Sequence, residues 1–81
     1  MTDILEEIKQ IISTQFGIPV EKIQEDSLLD EDLSITDLDL EDFMGFVQKK
    51  YEINIDQEQF PSFKKVSDIV SYLYDNLEIS N

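Results

Sequence analysis

The 81 residues include 19 acidic side chains against six lysines, with no arginine and no histidine, for a formal charge of −13. Such a field nearly excludes nucleic acid as a direct partner and disfavours an anionic membrane surface, because both require clustered cations to meet phosphate. The absence of cysteine, histidine and tryptophan removes disulfides, thiolate or imidazole metal sites, the commonest general base and one nucleophile.

A chain of this length makes one domain, residues 1–81, near the lower limit for a self-sufficient core. Its hydrophobic content of 41% predicts a folded chain despite the charge. No apolar run approaches the roughly 18–20 residues that cross a bilayer. Met1-Thr2-Asp3-Ile4 has acidic rather than basic flanks, unlike a signal peptide. The chain therefore reads as a complete, monomeric, cytoplasmic protein. Its acidity either keeps it soluble or steers it towards a basic patch on another protein.

In chain order, Asp3 followed by Glu6 is a capping-box pattern that opens a helix over 3–16. Ile4, Ile8, Ile11, Ile12 and Gln15 trace one face of it, with Leu5 and Phe16 alongside. Gly17 supplies a left-handed stop and Pro19 bars continuation. Residues 18–36 form a connection too long to be unsupported. Ile18, Val20, Ile23, Leu28, Leu29 and Leu33 are its expected pins, with turns at Val20–Ile23 and near Leu28–Asp32.

A second helix follows over 37–51. Thr36 is its N-cap, and Asp39 three residues later completes a variant capping box. Asp37, Asp39, Glu41 and Asp42 crowd the end where the helix dipole favours anions, and Lys49 and Lys50 the end where it favours cations. Leu40, Phe43, Met44, Val47 and Tyr51 form one apolar stripe. Gly45 within the helix points either to close approach of another element or to a neutral substitution. Ile53 and Ile55 hint at a strand too short to matter. Phe60 to Phe63 suits one short helical turn or an irregular bridge, and Val66, Ile69, Val70, Leu73 and Leu77 predict a last helix to about residue 77. The tail Ile79-Ser80-Asn81 is expected to fray. The fold class is all-α: a small four-helix bundle of three main helices and one short one, with a long first loop.

With these elements in place, the chain resembles the acyl carrier protein family, small acidic domains that carry acyl chains on a phosphopantetheine arm. Phe16-Gly17-Ile18 matches the end of the family's first helix, and Glu31-Asp32-Leu33 matches the residues before its attachment loop. Leu38, Asp42-Phe43 and Tyr51 follow the spacing of its second helix. Ile55, Phe63, Val66, Val70 and Tyr72 fall at its apolar or aromatic positions. No insertion or deletion is needed between about Asp3 and Leu73.

One departure governs the functional expectation. The family signature is Asp-Ser-Leu, with the serine bearing the arm; the aligned triplet here is Thr36-Asp37-Leu38. The family's preceding glycine is replaced by Ser34. Loading the arm requires a hydroxyl that attacks the β-phosphate of coenzyme A and leaves a stable phosphodiester. A carboxylate is a poor nucleophile, repels the pyrophosphate and would give a labile mixed anhydride. Asp37 is, by contrast, well suited to a helix N-terminus. Neither a cofactor nor a metal is therefore expected. Ser34 is the fallback attachment residue for 4'-phosphopantetheine, against its plainer reading as a small polar loop residue about one helical turn too early.

The acidic cluster does not match a calcium loop, which needs glycine at its sixth position and a correctly spaced final glutamate. Nor does so small a bundle leave a cleft for paired catalytic carboxylates, so the protein is not expected to be an enzyme. Phe43, Met44, Phe46, Tyr72 and Tyr74 are expected to fill the core, the alternative being an acyl-sheltering cavity. The resemblance implies a docking surface at Asp37, Leu38, Asp39, Glu41 and Asp42, meeting a basic patch on enzymes of fatty-acid, polyketide or related acyl-transfer pathways.

Overall fold

The computed structural model describes residues 3–77, so the tail expected to fray lies outside the described residues. Three α-helices, α1 (Ile4–Phe16), α2 (Asp37–Tyr51) and α3 (Val66–Asn76), pack round one core, with 3₁₀ helices at Val20–Lys22 and Gln57–Ser62. There is no strand among the described residues. Leu28 and Lys65 form an isolated antiparallel bridge, and Ile53 and Ile55 instead complete the exit from α2.

Each α-helix is bounded by local chemistry. The Asp3 side chain accepts from the Glu6 N–H at 3.4 Å, half of the predicted box; the Glu6 carboxylate lies 3.7 Å from the Lys9 ammonium instead. Gly17 ends α1 at φ 68°, its N–H reaching the Ser13 carbonyl, as a left-handed stop should. The full box opens α2: the Asp39 N–H donates to Thr36 Oγ1 and the Thr36 N–H to Asp39 Oδ2, both at 3.2 Å. Glu52 closes α2 at φ 56°. At α3 the Asp68 carboxylate accepts from the N–H groups of Lys64 and Lys65 at 2.9 and 3.0 Å.

The predicted stripes are buried: Ile4, Ile8, Ile11 and Ile12 of α1, Leu40, Phe43, Met44 and Val47 of α2, and Val66, Ile69, Val70 and Leu73 of α3. Phe16 and Phe43 meet at 6.2 Å between ring centroids. Two expectations are corrected, and one open alternative is decided. Gln15 is exposed, and Phe16 supplies the last packing contact of α1. Phe46 and Tyr74 are exposed rather than in the core, while Tyr72 lies half-buried, edge-on to Phe63 at 5.5 Å. Gly45 faces open space, with nothing among the described residues within 4 Å of where a Cβ would stand, so no described element approaches it.

The long connection is pinned at both levels expected. Ile23, Leu29 and Leu33 are buried and Ile18, Val20 and Leu28 half-buried. The Asp32 and Leu33 N–H groups reach the Leu28 carbonyl at 3.0 and 3.1 Å, closing a broad turn. Its other anchor is backbone to backbone with the start of α3. Leu29 donates to Lys64, Val66 to Ser27 and Ser67 to Glu25, at 2.8, 3.1 and 2.8 Å. Buried Ser27 turns its hydroxyl oxygen to the Gln24 N–H at 2.9 Å.

At the far end of α2, half-buried Tyr51 donates its hydroxyl to Glu7 of α1 at 2.5 Å. Burial first, and then the Glu7 carboxylate as hydrogen-bond partner and neighbouring charge, push the Tyr51 phenol well above its ordinary range. Gln48 fixes the exit of the chain. Its carbonyl accepts from the Ile53 N–H at 3.1 Å and its side-chain oxygen from the Ile55 N–H at 2.8 Å.

Candidate functional site

The position at which the sequence departs from its expected signature is the first residue of α2. Thr36 adopts an extended conformation at φ −77°, ψ 173° and Asp37 begins the helical turn, which leaves the Asp37 side chain exposed. The cap is built without it, since Thr36 and Asp39 satisfy one another. Asp37 is thus an exposed carboxylate at the positive end of a 15-residue helix, where an anion is favoured.

Two shallow concavities adjoin it. One, of about 190 Å³, is lined by Asp37 with Leu29, Ile35, Leu40, Phe60 and Lys64 among others. The other, of about 310 Å³, runs from Asp37, Leu40 and Glu41 to Gln57, Phe60 and Pro61. The second 3₁₀ helix therefore forms one wall of the site. Sequence reading missed Phe60, Pro61 and Lys64 here because tertiary packing alone brings them to α2. It also missed Ile35, which is 3% exposed and whose N–H reaches the Leu29 carbonyl at 2.8 Å. Its apolar side chain between two polar residues directly before the cap was the available signal.

The predicted surface residues divide. Leu38 is 75% exposed, and Glu41 and Asp42 are exposed with Asp37. Asp39 is half-buried, with its carboxylate committed to the cap, which makes it chiefly a structural residue. Ser34 is exposed, adopts φ 58° and donates its N–H to the Asp30 carbonyl at 3.0 Å. It borders a different concavity, with Phe16, Ile18, Lys22, Asp32 and Leu33. A left-handed backbone favours glycine, so Ser34 holds this conformation at some strain.

A phosphopantetheine arm needs a hydroxyl at the first turn of α2. The side chain at that position is a carboxylate, the Thr36 hydroxyl is the cap acceptor, and the Ser34 hydroxyl lies in the loop. The residues at the aligned position do not fit the group. Among the described residues no three acidic side chains are gathered so as to hold a metal ion, and no helix is long and apolar enough to cross a membrane.

No family model matches the chain. Comparison with characterised proteins gives consistent relatives. An acyl carrier protein of Onion yellows phytoplasma (strain OY-M) is 36% identical over 73 residues, covering 90% of this chain and 96% of that protein. An acyl carrier protein of Aster yellows witches'-broom phytoplasma matches to the same extent. One from Saccharopolyspora erythraea is 30% identical over 73 residues, covering 90% of this chain and 77% of its own length.

Proposed function

Since the chain belongs to the acyl carrier protein family, we propose that it is an armless member: a cytoplasmic, non-enzymatic docking or regulatory partner of acyl-transfer enzymes. The observation that carries this reading is the carboxylate of Asp37 at the start of α2, where attachment of the arm requires an alcohol. The surface used would be Asp37, exposed Leu38, Glu41 and Asp42, with Asp39 holding the turn beneath them. Its counterpart is a Lys/Arg-lined patch on an enzyme of fatty-acid, polyketide or related acyl transfer. The negative field of the chain speeds that encounter, and salt weakens it.

The test is to incubate the protein with a promiscuous phosphopantetheinyl transferase and coenzyme A and to measure the intact mass. The wild-type chain is expected to stay unmodified and Asp37→Ser to gain one arm. If Asp37→Ser also stays unmodified, the transferase surface has diverged beyond this residue. A mass gain on the wild-type chain overturns the proposal; loss of that gain in Ser34→Ala would assign the arm to the exposed Ser34 hydroxyl.

A further inference from the structure

Away from Asp37, the outer face of α2 carries a feature that the docking proposal does not use. Phe46 is 45% exposed and, with Gln10, Ile11, Thr14 and Gln15 of α1, lines a concavity of about 290 Å³. Residues 10–20 contain no charged side chain in a chain with 19 acidic ones. The surface where α1 meets Phe46 is therefore where like charge is thinnest. Beside the ring, exposed Gly45 leaves open space where a side chain would stand, so the helix surface is lowered next to an aromatic knob.

The charges about Phe46 have a symmetry of their own. Asp42 and Lys50 lie four residues to either side of it, each about 6 Å along the helix axis, and both are exposed. The Lys50 ammonium lies 5.7 Å from the Tyr51 ring centroid and forms no ion pair among the described residues. A twofold axis through Phe46 and perpendicular to α2 sets Asp42 of one copy against Lys50 of the other, twice, with the two rings between them. We propose that this face pairs with a second copy of the chain, α2 antiparallel to α2. An isologous contact demands such self-complementarity. A merely apolar partner would occupy the Phe46 surface but would have no use for opposite charges placed equally on either side.

The pairing is weak, because one helix face and a shallow groove fall short of the roughly 1,000 Å² of a stable interface. It also has a distinctive salt dependence. Each copy carries −13, so repulsion between whole molecules outweighs two exposed ion pairs, and screening favours association. Docking of the acidic end on a basic partner responds in the opposite sense. Asp42 belongs to both surfaces, so the two interactions compete. At high concentration this replaces the expectation of a monomer.

Sedimentation equilibrium of the full chain, from about 10 µM to about 1 mM and from low salt to about 0.3 M, tests the proposal. The mass is expected to rise from one chain towards two at the upper concentrations, and more so in salt. Phe46→Ala and Lys50→Glu should each hold it at one chain, with circular dichroism confirming the fold. The double swap Asp42→Lys with Lys50→Asp keeps the net charge and should still pair. Lys64→Glu, with the same charge change as Lys50→Glu but off this face, should pair as well. A one-chain mass under all conditions leaves the face to some other protein and overturns the proposal. So does a dimer indifferent to Phe46→Ala.

Discussion

The two faces of α2 share 15 residues and one backbone but obey different rules. Leu40, Phe43, Met44 and Val47 face inward and are buried almost completely; Leu38, Asp42, Gly45 and Phe46 face outward into solvent. The inner face gains its free energy from area removed from water. The outer face gains far less from burial, so the core does not dictate its charge and shape. An aromatic residue means opposite things on the two: Phe43 is a strut, and Phe46, three residues on, is a handle.

Four substitutions sharpen or break that contrast, beginning with the largest effect. Phe43→Ala should remove about 3–5 kcal/mol, enough to leave so small a domain largely unfolded at ordinary temperature. A melting temperature lowered by less than about 5 °C would mean that the inner face is not the main source of stability. Phe46→Ala, on the outer face, should stay within about 0.5 kcal/mol of wild type.

The Tyr51–Glu7 contact lies between these extremes. Tyr51→Phe should cost about 1 kcal/mol by thermal or urea melting. Because the folded state holds the phenolic proton more tightly than the unfolded state, the contribution of Tyr51 is fully present below its ordinary value of 10.0 and falls away as pH rises past it. The alkaline fall in stability should therefore be shallower in Tyr51→Phe. An identical slope would show that the hydroxyl contributes nothing there. Small and of opposite sign, Ser34→Gly should raise stability by about 0.5 kcal/mol, the relief of a left-handed non-glycine residue less the added freedom of the unfolded chain. A lower melting temperature would mean that the Ser34 hydroxyl has a structural partner.

The helices were legible because caps, glycine and apolar spacing agreed: Gly17 ended α1 and Thr36 with Asp39 opened α2 as the residue order implied. The outward turn of Phe46 and Tyr74 was not, since both lie at the margin of a stripe where composition counts hydrophobicity and only packing sets direction. The clasp between residues 25–29 and 64–67 was hidden for another reason. It is made by main-chain groups, which leave no mark in residue type. At the candidate site the position of Asp37 was readable from alignment with the family pattern, whereas its neighbours Phe60, Pro61 and Lys64 come from a segment some 25 residues onward that only the folded chain brings near.

That clasp has a mechanical meaning. The segment leading into α2 is tied by its own backbone to the entrance of α3, so the two approach the Asp37 end as one ledge. A protein that grips this end pulls on the last helix as well as the second. The force of an encounter is thus shared by parts of the chain that no partner touches.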